Sequence, residues 1–162
     1  MTDTTRADNL RRNFLVIVDD TPECRLALRF AGRRAKRTGG GVMLLKVIEP
    51  ADFQHWMTVE NLMREEAREE AEELLQTLAA EVSDLTGIVP EYRIREGNRV
   101  DEILALIEEE EGIRLLVLGA STDTEGPGPL VSRLAGQMAG SMRIPVTIVP
   151  GNMTPAEIDD VT

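Results

Sequence analysis

The stretch FLVIVDDTPECRLALRFA, residues 14–31, decides the fold. Its opening run, FLVIVD (Phe14 to Asp19), is continuously apolar up to its final aspartate, as in a strand buried on both faces of a parallel sheet, and not alternating as in a strand with one wet face. Asp20, Thr21 and Pro22 stop that run. Thr21 carries a hydroxyl suited to a helix N-cap, and Pro22 suits the first helical position, where an amide proton would lack an intrahelical partner anyway. From there the period changes to three and four: Leu26, Ala27, Phe30, Ala31 and Ala35 share one helical face. Glycines 39–41 end the helix near Thr38. Strand, turn and helix in that order open a βαβ unit.

The same alternation continues outward. VMLLKVI (42–48) is a second strand, closed by Glu49 and Pro50, and a linker with His55 and Trp56 follows. Apolar residues at steps of three or four, from Val59 and Leu62 through Leu74, Leu78 and Val82 to Leu85, predict a long helix from near Thr58 to Leu85, ended by Gly87. IVPEYRIR (88–95) is a more polar third strand, whose Pro90 points to its first residues or to a sheet edge. Asn98 caps a third helix, with Asp101 and Glu102 in its first turn and Ile103, Leu104, Leu106 and Ile107 on its apolar face. LLVLG (115–119) is strand four, ASTDTEGPGP (120–129) a loop, residues 130–142 a fourth helix and PVTIV (145–149) the last strand. The expected fold class is α/β: an open, mainly parallel five-stranded sheet with helices on both faces, Rossmann-like, with right-handed crossovers. A single domain over 13–150 is expected, between a polar segment (1–12) and a tail (151–162) with too few apolar groups to demand packing.

Composition sets outer bounds. A chain of 162 residues and 17.9 kDa supports one ordinary core. Lys+Arg of 18 against Asp+Glu of 29 gives −11, so nucleic acid and anionic membranes are not expected partners. One cysteine, Cys24, excludes an intrachain disulfide, and with one histidine, His55, thiolate zinc sites and histidine triads are not expected. No apolar run approaches the roughly 20 residues of a membrane span. The start MTDTTRADNLRRN lacks the apolar stretch of a secretory signal, so a cytoplasmic protein is expected.

Open sheets of this kind bind ligands beyond the C-terminal ends of strands, where the strand order reverses. The candidate walls are therefore Asp19, Asp20 and Thr21 after strand one and residues 119–129 after strand four. A carboxylate after strand one suits a sugar hydroxyl or a cation, or else organises the turn and caps the helix. GASTDTEGPGP has the glycines and hydroxyls of a phosphate cradle or of a plain surface loop; it contains neither GxxxxGK[ST] nor GxGxxG. Cys24 in the first helical turn reads as a buried small hydrophobe before a redox thiol, and His55 beside Trp56 as linker before proton donor. Asp123 and Glu125 lack a calcium-binding signature and read as solvated. No pair of carboxylates is placed across a substrate, so no catalytic residue is assigned.

In this order, the opening FLVIVDDTPECRLALRFA, the segment LLVLGA with its Gly/Ser-bearing loop, and RIPVTIVP resemble the universal stress protein family over about residues 13–150. The resemblance implies an adenine nucleotide site in which Asp19 contacts the nucleotide and the backbone of Met43, Leu44 and Leu45 packs at the adenine. It also implies a phosphate signature, GxxG, nine residues, then G followed by Ser or Thr. Here Gly119 matches the first glycine, Thr122 and Ser132 stand where two glycines are expected, and Arg133 stands at the hydroxyl position. Side chains at Thr122 and Ser132 obstruct close approach to the amides, whereas the Arg133 guanidinium offers a bidentate phosphate contact in compensation. The chain thus resembles members that lack the intact signature.

An aliphatic last strand at a sheet edge needs cover, which pairing with a second copy supplies. Ile144, Val146, Ile148 and Val149 are the expected dimer residues, and the resemblance implies the same mode. The first helix carries Arg25, Arg29, Arg33, Arg34, Lys36 and Arg37, while the long helix is glutamate-rich from Glu60 to Glu73; successive crossovers place the two on one sheet face. Such charged faces are either simply solvated or docking surfaces for protein clients. These readings lead to a cytoplasmic homodimeric interaction module of the stress response that does not bind ATP tightly. The alternative is a regulatory switch holding ATP or AMP with Mg²⁺ and hydrolysing it slowly at most.

Overall fold

The computed structural model describes residues 12–50 and 57–162, so residues 1–11 and the linker with His55 and Trp56 lie outside the described residues. Strands β1 (Asn13–Ile17), β2 (Gly41–Ile48), β3 (Glu91–Glu96), β4 (Ile113–Ala120) and β5 (Val146–Pro150) form one sheet in the order β3-β2-β1-β4-β5. Every neighbouring pair is parallel, with Leu15 opposite Met43 on one side and Leu116 on the other. Helices α1 (Pro22–Thr38), α2 (Met57–Thr86) and α3 (Arg99–Glu109) make the first three crossovers.

The continuous apolar runs follow from this layering. On one face Val16, Val18 and Leu44 pack with Ala27, Leu28 and Ala31 of α1 and Leu75, Leu78 and Val82 of α2. On the other, Leu15, Ile17, Met43 and Leu45 pack with Ile103, Leu106 and Ile107 of α3. The two sets alternate along each strand, as the period of two requires. Helix ends fall where the side chains predict. Thr21 Oγ1 accepts from the Cys24 amide (3.3 Å), Asn98 Oδ1 accepts from the Asp101 amide (3.1 Å), and Gly39 takes the left-handed conformation, φ 71°, that closes α1. The basic helix α1 and the acidic helix α2 do share a face, joined by Arg25 and Glu81 at 3.4 Å.

Two segments depart from expectation. The regular helix predicted over 130–142 winds instead as a π-helix, Val131–Gln137, followed by a 3₁₀ turn, Ala139–Ser141. The Met138 amide reaches back five residues to the Arg133 carbonyl (2.8 Å), the wider turn seats Val131 and Leu134 against the sheet, and Gly136 and Gly140 weaken the competing α-helical winding. The segment predicted to need no packing forms α4 (Pro155–Val161). Its start is a capping box: Thr154 Oγ1 accepts from the Glu157 amide (3.2 Å), and Glu157 Oε1 accepts from the Thr154 amide (3.1 Å). Ile158 is 0% exposed against α1, a burial that contributes about 1.5–3 kcal/mol. Arg29 donates twice to Asp159, each bond 2.7 Å, and fastens the helix further. At the sheet edge Ile144 and Val149 are buried in the two cores, while Val146 and Ile148 are partly covered.

Candidate functional site

Strand order reverses between β1 and β4, so their C-terminal ends form the crevice that this topology offers a ligand. The turn after β1 is rigidly built. Asp19 Oδ1 accepts from the Thr21 amide (3.1 Å) and from the Thr21 hydroxyl, and the same hydroxyl caps α1. Asp19 is half-buried, between solvent and the helix start. Cys24 beneath it is buried, and desolvation pushes its thiol up to about 12, which keeps it protonated and unreactive.

The far wall approaches closely. A Cβ on Gly119 would meet the Glu23 carbonyl carbon at 2.7 Å, so glycine is required there for β4 to touch the first turn of α1. What remains between Asp19, Thr21 and Cys24 on one side and Leu118, Gly119 and Leu130 on the other is a cavity of about 30 Å³. That is the share of liquid volume of about one water molecule, ~30 Å³.

Asp19, Thr21 and Gly119 are therefore brought together at the crevice, whereas Met43, Leu44, Leu45, Thr122, Ser132 and Arg133 do not line it. The loop after β4 closes on itself: the Ser121 amide donates to the Pro127 carbonyl (3.1 Å) and the Gly126 amide to the Asp123 carbonyl (3.1 Å). The Ser132 amide is occupied by the Gly128 carbonyl (3.1 Å). Thr122, Ser132 and Arg133 are exposed outside the crevice, as are Asp123 and Glu125. Met43, Leu44 and Leu45 are buried in the sheet interior, their strand paired with β1 and β3. Among the described residues no group of three or more His, Cys, Asp or Glu is placed to hold a metal ion.

A larger cavity, about 700 Å³, lies one strand further along the same rim. Its floor is Lys46, Val47 and Ile48 at the end of β2, and its walls are Asp20 of the β1–α1 turn, Arg25 of α1, Ala67, Ala71 and Thr77 of α2, and Arg99 of α3. Of these residues, sequence reading placed only Asp20 at a ligand site. The available signal was the pair of alanines, Ala67 and Ala71, which leave room opposite a strand end. Arg25 is tied to Asp20 (3.5 Å) and Arg99 to Glu49 (3.8 Å), and Glu70 and Glu73 join the lining, so the cavity offers a polyphosphate more repulsion than free positive charge.

The model of the universal stress protein family matches residues 11–150. The chain belongs to that family. Solved structures agree with the fold. The universal stress protein UspA from Lactobacillus plantarum is 20% identical, covers 86% of this chain and 97% of its own, and superposes with a TM-score of 0.69. The universal stress protein from Archaeoglobus fulgidus in complex with dAMP is 18% identical, with coverage of 86% and 98% and a TM-score of 0.61. A universal stress protein in complex with cAMP is also 18% identical, with coverage of 88% and 98% and a TM-score of 0.59. No curated protein matches the chain. The family match ends at residue 150, before α4. None of the described helices is long and apolar enough to cross a membrane.

Proposed function

We propose that this universal stress protein acts in the cytoplasm as a homodimeric interaction module of the stress response and does not bind ATP tightly. One observation carries the reading: the crevice between β1 and β4 has a volume of about 30 Å³, whereas small-molecule pockets span roughly 300–1,000 Å³. Its closing contact is backbone against backbone, Gly119 on Glu23, which a ligand cannot displace as it would a rotamer. Thr122 and Ser132 add side chains where the signature has glycines, and the Ser132 amide already has a partner. The dimer forms through β5, with Val146 and Ile148 meeting the second copy and Ile144 and Val149 supporting them from the cores.

A second reading is an AMP- or ATP-binding switch with Mg²⁺, using Asp19 and Gly119 at the crevice and Arg133 for phosphate. The dAMP and cAMP complexes of the two similar structures favour it. Thermal unfolding with Mg·ATP and with AMP separates the two. A nucleotide present at a hundred times its dissociation constant adds about 2.7 kcal/mol, a rise in Tm of about 5–10 °C for a chain of this size. The interaction-module reading expects no rise with either nucleotide at millimolar concentration; a saturable rise would establish the switch.

A further inference from the structure

At the opposite end of the sheet from the crevice, a groove of about 350 Å³ is lined by Arg33, Lys36, Arg37, Leu85, Thr86 and Thr162. Three cations and no Asp or Glu side chain line it, in a chain of net charge −11. Other arginines meet acids: Arg93 with Glu110 at 2.9 Å, Arg64 with Glu96 at 2.7 Å and Arg25 with Glu81 at 3.4 Å. Lys36 and Arg37 have no carboxylate within 4.0 Å among the described residues. Basic residues in the last turn of α1 complement the negative end of the helix dipole, which accounts for the sign of Lys36 and Arg37. It does not account for Arg33 one turn earlier, nor for the concavity.

Arg33 is held from outside its own helix. Its Nε donates to Thr162 Oγ1 (2.9 Å) and lies 3.1 Å from Asp159 Oδ1, so both contacts use Nε and leave the two terminal nitrogens for a ligand. Those anchors belong to α4 and the residue after it, beyond the family-matched stretch 11–150. Leu85, 37% exposed, supplies an apolar wall beside the cations. We propose that this groove binds a small phosphate monoester with an apolar body, its dianion held by Arg33, Lys36 and Arg37 and its body lying against Leu85. Guanidinium groups match phosphate bidentately, a dianion answers three converging positive charges better than a single carboxylate does, and the volume falls within the small-molecule range.

The test is an NMR titration of the full chain, following backbone amides, with phenyl phosphate, inorganic phosphate and benzoate as probes. Saturable shifts at residues 33–37, 85, 86 and 162 are expected with phenyl phosphate, and weaker binding with inorganic phosphate, which lacks the body, and with benzoate, which lacks the second charge. Losing a charge-assisted bond should raise Kd about tenfold or more in Lys36→Gln and in Arg37→Gln. Arg34→Gln, which removes the same charge outside the lining, should leave Kd unchanged. Absence of saturable shifts in the unmutated chain would overturn the site. An equal loss in Arg34→Gln and Lys36→Gln would reduce it to diffuse charge and overturn it too. Inorganic phosphate binding as tightly as phenyl phosphate would overturn the role of Leu85.

Discussion

Replacing Gly119 with alanine asks whether that glycine serves helix packing or phosphate. The added Cβ would stand 2.7 Å from the Glu23 carbonyl carbon, nearer still to its oxygen, and 3.1 Å from Glu23 Cβ. Carbon contacts are normally about 3.5–4.0 Å, so the start of α1 and the end of β4 must part by ~1 Å. No rotamer relieves a clash with backbone. Overpacking of this kind costs about 1–3 kcal/mol, which lowers Tm by about 2–12 °C at this chain length. Urea denaturation followed by circular dichroism, with and without Mg·ATP, measures it. The midpoint should fall with an unchanged m-value, by the same amount in both conditions. An unchanged midpoint would refute the packing argument, and a variant that kept its stability but lost nucleotide binding would return Gly119 to a phosphate role.

The remaining predictions concern the edge, the thiol and the C-terminal helix. Ile148→Lys on the edge strand should move sedimentation from dimer towards monomer while circular dichroism stays native; a dimer of unchanged affinity would place the interface elsewhere. Cys24, buried with a pKa of about 12, should react with a thiol reagent at pH 8 only as fast as the chain opens, and prompt reaction of the native protein would contradict its burial. The hydrogen bond from Arg29, helped by its charge and that of Arg33, holds the Asp159 carboxyl below its ordinary pKa. A depressed folded-state pKa means that this stabilisation is complete above the unfolded value of roughly 3.9 and is lost as pH falls through the folded value. The stability gap between the parent chain and Asp159→Asn should thus be level near neutrality and close in acid; urea midpoints at several pH values would expose a pH-independent gap and refute the pairing.

The layered core was legible because its signals are local and repeated. Four aliphatic runs and one more polar segment lie on the five strands, and Thr21, Gly39 and Asn98 bound helices where their side chains or backbone freedom require it. The Leu130–Met142 stretch was harder, since Val131, Leu134, Ala135 and Met138 suit an α-helical face as well as the π winding that the sheet selects. The C-terminal helix hid behind a count of apolar groups: one isoleucine sufficed, because Arg29 and Arg33 of a distant segment meet Asp159. The cue was Thr154-Pro155-Ala156-Glu157, a capping box with proline at the first helical position. At the crevice, the order of elements placed Asp19 and Gly119 on its walls, yet a linear motif does not carry the volume between two strands. That volume depends on how closely Glu23 approaches Gly119, a contact across 96 positions of chain that periodicity does not encode.

The most direct test of the central claim, that the crevice as folded has no room for a nucleotide, is calorimetric titration of Mg·ATP into protein verified as ligand-free. The account predicts no saturable heat at several temperatures and high protein concentration, with the dimer intact throughout. Saturable one-to-one binding, weakened by Asp19→Asn, would contradict it and make this chain a nucleotide-dependent switch.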